Sequence, residues 1–280
     1  MQLTEAMEKV LALAEANLEG SIDMPELARA VGYSDFYLQR VFAMMAGEPL
    51  GTYLRERRLT CAGRRLQAGE RVLDTALRYG WESPESFEKA FKRFHGVTAK
   101  QAKQGAPLRC VDPLHIRVTL TGGRDMDYQV ENMDTLYVMG KVRRFDYEDC
   151  FQRIPEFWTA YYREGYHKEV PGFLGVCLDD ECGERKGFAY MIGCFCGVED
   201  EVCEGFEKRK LDAGTWAKFK AHGAMPDALQ KLNRQIFTQW LPSSAEWTMA
   251  RNVNLEVYTE GDMSSADYVS EIWIPVKPKA

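Results

Sequence analysis

One short element occurs twice in this chain, and it limits what the first hundred residues can be. Ala28 is followed after three residues by Gly32-Tyr33, and Ala76 is followed in the same way by Gly80-Trp81, 48 positions later. Each copy continues through a serine into an amphipathic segment that ends on phenylalanine, Ser34 to Phe42 and Ser83 to Phe91. A first helix, a tight turn containing glycine and a second helix are the parts of a helix-turn-helix. Apolar residues around both copies recur at helical spacing. They predict helices over 3–18, 23–31, 35–45, 49–67, 72–79 and 84–94, with a short one from 98. Leu3, Met7, Val10, Leu11, Ala14 and Leu18 share one face of the first. Asp23, with Pro25 and Glu26 behind it, is the expected cap of the second, and Gly47, Gly69, Gly80 and Gly96 mark helix ends.

The second helix of each copy divides into two faces. In 35–45, Leu38, Val41, Phe42 and Met45 turn to a core, which leaves Phe36, Gln39, Arg40 and Ala43 outward. In 84–94, Phe87, Ala90, Phe91 and Phe94 turn inward, which leaves Pro84, Glu85, Ser86, Glu88, Lys89 and Lys92 outward. Gln39 suits a bidentate contact with adenine and Arg40 one with guanine; Lys89 suits a base or a phosphate. Glu88 either accepts from a cytosine amino group or is repelled by DNA. The helix 49–67, about 28 Å long, would hold the two faces for major-groove segments about 34 Å apart. Its Arg55, Arg57, Arg58, Arg64 and Arg65 are candidates for phosphate contact. Charge agrees with this division. Residues 1–110 carry net +2 and the rest net −8, within an overall −6, so the first half is the one suited to a polyanion.

The stretch 103–113, KQGAPLRCVDP, breaks the helical pattern and reads as a linker. After it come strand-like runs: LHIRVTL, TLYVMGKV, GFLGVCL, FAYMIGCFC, TWAKFKA, VNLEVYT and YVSEIWIPV. Helical stretches at 148–164 and 226–240 each precede a pair of these runs. That order describes a helix-plus-sheet unit used twice, an α+β domain with an antiparallel sheet. No apolar run approaches the roughly 18 to 20 residues of a membrane span. The N-terminus has no basic segment before an apolar one, so no signal peptide is read there. The chain is accordingly expected in the cytoplasm, away from membranes, with its eight cysteines reduced. Those cysteines are buried small apolar residues or a redox or metal group; no Cys-x-x-Cys pair supports the latter. The second half has no nucleophile elbow, phosphate loop, zinc-ligand set or dinucleotide fingerprint, and no cofactor is expected. What it has is aromatics with isolated carboxylates. Glu256 lies between Leu255 and Val257, so alternation puts it opposite both.

On these residues the first hundred positions resemble the DNA-binding domain of the AraC/XylS family. GYSDFYLQRVF is similar to its first recognition helix, and ALRYGWESPESFEKAFKRFHGVTAKQAK to its C-terminal signature. Where that family has Pro and a closing Tyr-Arg, this chain has Ala99 and Ala102-Lys103. The resemblance places base-reading positions on Phe36, Gln39 and Arg40 and on Glu85, Ser86, Glu88 and Lys89. Two glutamates in the second helix depart from the pattern. Residues from about 125 to 276 resemble a GyrI-like (Rob/BmrR-type) effector-binding domain, through LDAGTWAKFKAHGAMPDALQKLNRQIFTQWLP, LEVY and SEIWIPV.

The fold so implied is an all-α N-terminal domain (1–105) with two helix-turn-helix motifs, a linker (106–124) and a C-terminal α+β domain (125–280). The latter would consist of two pseudo-symmetric βαββ units with a pocket at their junction. The resemblance assigns Glu256 to cationic lipophilic ligands. Trp216 stands in its AGTW motif; Tyr137, Trp158, Phe173, Tyr190, Trp240 and Tyr258 are pocket or core aromatics. The expected function is transcription regulation, with double-stranded DNA, a small-molecule effector and RNA polymerase as partners, and no catalysis. One alternative is a hydrolase of small electrophilic compounds with Glu256 and Glu271 as acid and base. The other is a ligand-independent regulator whose C-terminal domain docks a protein.

Overall fold

The repeated element closes in the same way both times. Gly32 and Gly80 take left-handed φ values of 74° and 83°, where a side chain would be strained. Tyr33 N and Trp81 N then donate to Ala28 O and Ala76 O, each at 3.0 Å, which satisfies carbonyls left over at a helix end. The structure is a computed structural model that describes residues 3–20, 22–115, 126–178 and 187–279. The chain divides into two compact units, residues 1–120 and 121–280.

The first unit is helical: α1 (Leu3–Ala16), α2 (Met24–Ala30), α3 (Asp35–Ala46), α4 (Leu50–Gln67), α5 (Val72–Arg78), α6 (Pro84–His95) and α7 (Ala99–Lys103). Ser34 and Ser83 cap α3 and α6 by accepting from Tyr37 N and Ser86 N at 3.1 Å. Asp23 makes no side-chain cap to α2; its carboxylate lies 3.6 Å from the Arg29 guanidinium instead. The predicted inner face of α1 is buried from Leu3 to Leu18.

Most of the α4 arginines are structural ties rather than a row for phosphate. Arg57 is buried, 4% exposed. Its Nε and Nη2 donate to the two Glu15 oxygens at 2.7 Å, and its Nη1 donates to Val111 O. The Tyr53 hydroxyl donates to Glu15 Oε1 at 2.8 Å and accepts from Leu114 N at 3.2 Å. Arg58 donates to Leu18 O and Gly20 O, at 3.0 and 2.7 Å. Arg65 pairs with Glu19 at 3.0 Å. Arg64 is exposed.

The stretch read as a linker from 106 is, in its described part, laid back along α4. Gln67 donates to Ala106 O, Val111 N to Thr60 Oγ1 and Arg109 to Glu56, at 3.0 to 3.3 Å. Arg109 also covers the Phe94 ring at 4.7 Å. Residues 116–124 of the expected linker lie outside the described residues, as does most of the strand expected at 114–120.

The second unit is α+β. Its elements are β1 (Tyr128–Met133), β2 (Leu136–Phe145), α8 (Cys150–Arg163), β3 (Leu174–Leu178), β4 (Phe188–Cys196), β5 (Glu207–Leu211), β6 (Gly214–His222), α9 (Asp227–Gln235), β7 (Trp247–Met249), β8 (Val253–Tyr258) and β9 (Val269–Pro278). After α9 the chain continues through a π turn, Ile236–Trp240. β1, β5 and β7 were not expected; they are short or charged, and β5 reads Glu-Lys-Arg-Lys-Leu. All pairs are antiparallel in the order β1-β6-β9-β8-β3-β4-β2-β5, with β7 on β9. Strands β3 and β8 sit at the centre, so the repeated helix-plus-sheet units β2-α8-β3-β4 and β6-α9-β8-β9 meet there.

Only Asp212 and Ala213 separate β5, last in that order, from β6, second from the other end. The sheet must therefore curl. Its inner face encloses a core that includes Val138, Val176, Met191, Leu211, Trp216 and Leu255. Its outer face carries the helices: Phe145 packs with Phe157 of α8 at 5.9 Å, and Phe219 with Trp240 at 4.8 Å. Among the described residues no helix is long and apolar enough to cross a membrane. Among them, seven cysteines are free thiols and no acid, His or Cys group is placed to hold a metal.

Replacing Glu15 by Ala strands the Arg57 guanidinium and should cost about 3 to 5 kcal/mol, read from the denaturation midpoint of the helical unit. A loss near zero would mean that Arg57 finds other partners. Burial pushes the Glu15 carboxyl up, but the bonds from Arg57 and Tyr53 outweigh it and leave the group below its ordinary value. A carboxyl held low in the folded state stabilises above its unfolded pKa, and that stability is lost as pH falls through the folded value. Glu15→Gln should remove this acid-side loss.

Candidate functional site

The second helices of the two repeats, α3 and α6, differ in what they expose. On α6, Phe87, Phe91 and Phe94 are buried, whereas Glu85, Ser86, Lys89, Lys92 and Arg93 are exposed. Lys100 and Lys103, on α7, are exposed as well. Glu88 is not part of the open row: both its carboxylate oxygens lie 3.3 Å from Ala99 N.

On α3 most of the expected outward face is covered, and Arg40 is half-buried. Phe36 is 2% exposed, Gln39 8% and Ala43 7%. Gln39 Nε2 donates to Asp35 Oδ1 at 3.4 Å, and the Arg40 guanidinium lies 5.6 Å from the centre of the Phe36 ring. The reason is compositional. Asp35, Gln39 and Arg40 are the only charged or amide residues of α3, and a helix with so narrow a polar face buries most of its residues. Splitting it into an inner and an outer face gave the outer one too much exposure.

In the second unit, the pleat of β8 and an absent side chain on β3 build a polar cluster. Glu256 and Tyr258, two apart, share the outer face, and Gly175 lies directly across from Glu256. A Cβ at Gly175 would collide with the Tyr190 hydroxyl and come within 2.8 Å of Glu256 Oε2. Glycine therefore lets the ring from β4 reach over β3. The Tyr190 hydroxyl donates to Glu256 Oε2 at 2.7 Å and accepts from Trp158 Nε1 at 3.1 Å. The Tyr258 hydroxyl donates to the same oxygen at 3.2 Å, and Trp158 meets the Tyr258 ring edge to face at 5.1 Å. Burial first, and then the Glu256 charge, hold both phenols well above the ordinary tyrosine range, so they remain donors. The half-buried carboxylate is thus held by neutral partners, and among the described residues no cation is one of its hydrogen-bond donors.

Phe173 is beside this cluster, exposed, with its carbonyl accepting from Tyr258 N at 2.9 Å. Tyr162, which the sequence reading did not single out, stacks on Trp158 at 6.3 Å. Its spacing of four from Trp158 on one helix was the available signal.

Three expected pocket residues lie elsewhere. Trp216 is fully buried in the inner core with Leu255. Glu271 pairs across the strands with Val257, whereas Glu256 pairs with Ile272. The two glutamates therefore occupy opposite faces and do not form an acid–base pair; Glu271 accepts from Trp273 Nε1 at 2.6 Å. Tyr137 lines a separate open cavity of about 360 Å³ with Leu136, Phe195, Cys196 and Val198. Period-two alternation fixes these assignments, but only the register shows which residues of β8 and β9 face each other.

Comparison with known proteins agrees with this division. The family described as Cass2, integron-associated effector binding protein, matches residues 129–276, just over half of the chain, and a helix-turn-helix domain family matches 27–105. The HTH-type transcriptional activator AarP of Providencia stuartii is 38% identical over 93 residues, 33% of this chain and 69% of that protein. The multiple antibiotic resistance protein MarA of Escherichia coli K12 is 34% identical over 92 residues, 32% of this chain and 72% of that protein. A solved structure of SAV2435 bound to tetraphenylphosphonium is 25% identical, covering 54% of this chain and 94% of that one, with a TM-score of 0.48. The chain belongs to the integron-associated effector binding family and to the AraC-type helix-turn-helix proteins: it is a DNA-binding transcription regulator with an effector-binding domain.

Proposed function

We propose that the regulator reads DNA chiefly through α6 and senses a lipophilic, aromatic cation at the Glu256 cluster, acting by binding rather than by turnover. The observation that carries the effector reading is the Glu256 carboxylate, half-buried beside Tyr190, Tyr258 and Trp158, with neutral phenols as its donors among the described residues. An aromatic face attracts a cation by roughly 0.5 to 2 kcal/mol, and a carboxylate screened from water adds Coulomb attraction. The effector would change DNA affinity, or contact with RNA polymerase, by favouring one of two states of the protein. Its place of action is the cytoplasm, where its DNA is. The separation of Glu256 from Glu271 supports sensing over hydrolysis.

Tetraphenylphosphonium, the ligand of SAV2435, is a suitable probe. Glu256→Gln should weaken it about tenfold or more, equivalent to 1.4 kcal/mol, and leave a neutral triaryl compound of similar shape nearly unchanged. Equal loss for both would sink the cation reading. Gly175→Ala should abolish binding of the probe, because its methyl group forces Tyr190 off Glu256, without lowering the melting of the helical unit. For DNA, Lys89→Ala should lose roughly 1 to 3 kcal/mol at a selected site if it reads a base, with relaxed preference at one base pair. If it meets phosphate, the loss should be uniform and the salt slope should fall by about one. Unchanged affinity in competition binding would exclude α6 as the reading helix.

A further inference from the structure

Glu88 sits in the outward row of α6 by sequence but is used differently by the fold. We propose that it is a positioning residue for DNA recognition: it reads no base, and instead fixes the bearing of α6 by clamping the first turn of α7. This rests on α6 being a reading helix, which Lys89→Ala tests separately.

The clamp is visible in the geometry. Ala99 is the first residue of α7 and is fully buried, so water does not meet its N–H. Both Glu88 oxygens stand 3.3 Å from that nitrogen, and a carboxylate at a helix N-terminus is favourably placed against the helix dipole. The neighbouring backbone groups are satisfied locally. Thr98 N donates to Gln101 Oε1 at 2.8 Å and Gln101 N to Thr98 Oγ1 at 3.2 Å.

With five residues, α7 is far too short to persist as an isolated helix. It exists through its caps and through the burial of Ala99 and Ala102. Because α7 packs on α4 as well as α6, Glu88 closes a ring of three helices. His95 Nε2, donating to Leu59 O at 3.0 Å, ties the far end of α6 to α4. The clamp thus holds the N-terminal half of α6, which carries Glu85, Ser86 and Lys89. A recognition group works only when held within about 0.5 Å and 10–20° of its productive geometry. Loss of the clamp should therefore weaken every sequence alike, whereas loss of a reader changes the preference at one position.

The test uses the full chain, a duplex site selected from a randomised pool with the wild-type protein, and the variants Glu88→Ala and Glu88→Gln. Glu88→Ala should lower affinity about 5- to 10-fold, the scale of a lost helix cap. The same factor should apply at the selected site and at its single-base variants, leaving the preference profile unchanged. Glu88→Gln keeps an acceptor oxygen and should recover most of the loss, which also covers the case in which the alanine variant folds poorly. A loss confined to one C·G position would make Glu88 a reader and overturn the proposal. So would unchanged affinity in Glu88→Ala, including the case where melting falls but affinity measured well below melting does not. A glutamine variant no better than alanine would also overturn it, since the hydrogen bond would then not be the agent.

Discussion

A charged group can be sunk into a protein only where its charge and its hydrogen-bonding atoms are met, and this requirement organises both units. In the helical unit the buried cation is Arg57, met by both oxygens of Glu15 and by the Val111 carbonyl. The bonds join α1, α4 and the segment after α7, three parts of the chain far apart in sequence. In the second unit the enclosed charge is the Glu256 carboxylate, met by two phenols. The two solutions differ in kind. Arg57 has an opposite charge beside it and is a structural pair. Among the described residues Glu256 has hydrogen bonds from neutral phenols and no cationic donor, and the proposed effector reading rests on that difference.

The duplicated turn shows how far local similarity carries. Gly32-Tyr33 and Gly80-Trp81 close with the same bonds and nearly the same φ, because those are set by backbone sterics within six residues. The helices that follow diverge. The α6 segment alternates phenylalanines with charges and so has one buried and one open face. The α3 segment is apolar nearly all round and is mostly buried, with Asp35, Tyr37 and Arg40 half-buried. The same motif thus exposes a charged row in one copy and, in the other, a helix that is mostly buried.

Much of the fold was legible from periodicity. Helices α1 to α7 fall close to their predicted spans, and so do α8, α9 and six of the seven expected strand-like runs, in β2, β3, β4, β6, β8 and β9. The seventh run, at 114–120, lies mostly outside the described residues. Short, charged strands escaped, because β5 and β1 owe their strand character to partners on the sheet rather than to their own side chains. At the site, Glu256, Trp158, Tyr190 and Tyr258 were named and stand together. Trp216, Glu271 and Tyr137 were named with them and stand apart, because residue type alone does not say which face of a curled sheet a strand position occupies.

The sequence by itself determined the two architectures, the repeated turn and the opposition of Glu256 to Leu255 and Val257. These follow from interactions within a few residues, where period, capping and backbone sterics decide. Tertiary structure alone decided which arginines are spent inside, that Glu88 turns to Ala99, and that Gly175 lets Tyr190 reach Glu256. Each of these depends on a partner 11 to 81 residues away. Long-range register and packing set such pairings, and no local pattern encodes them.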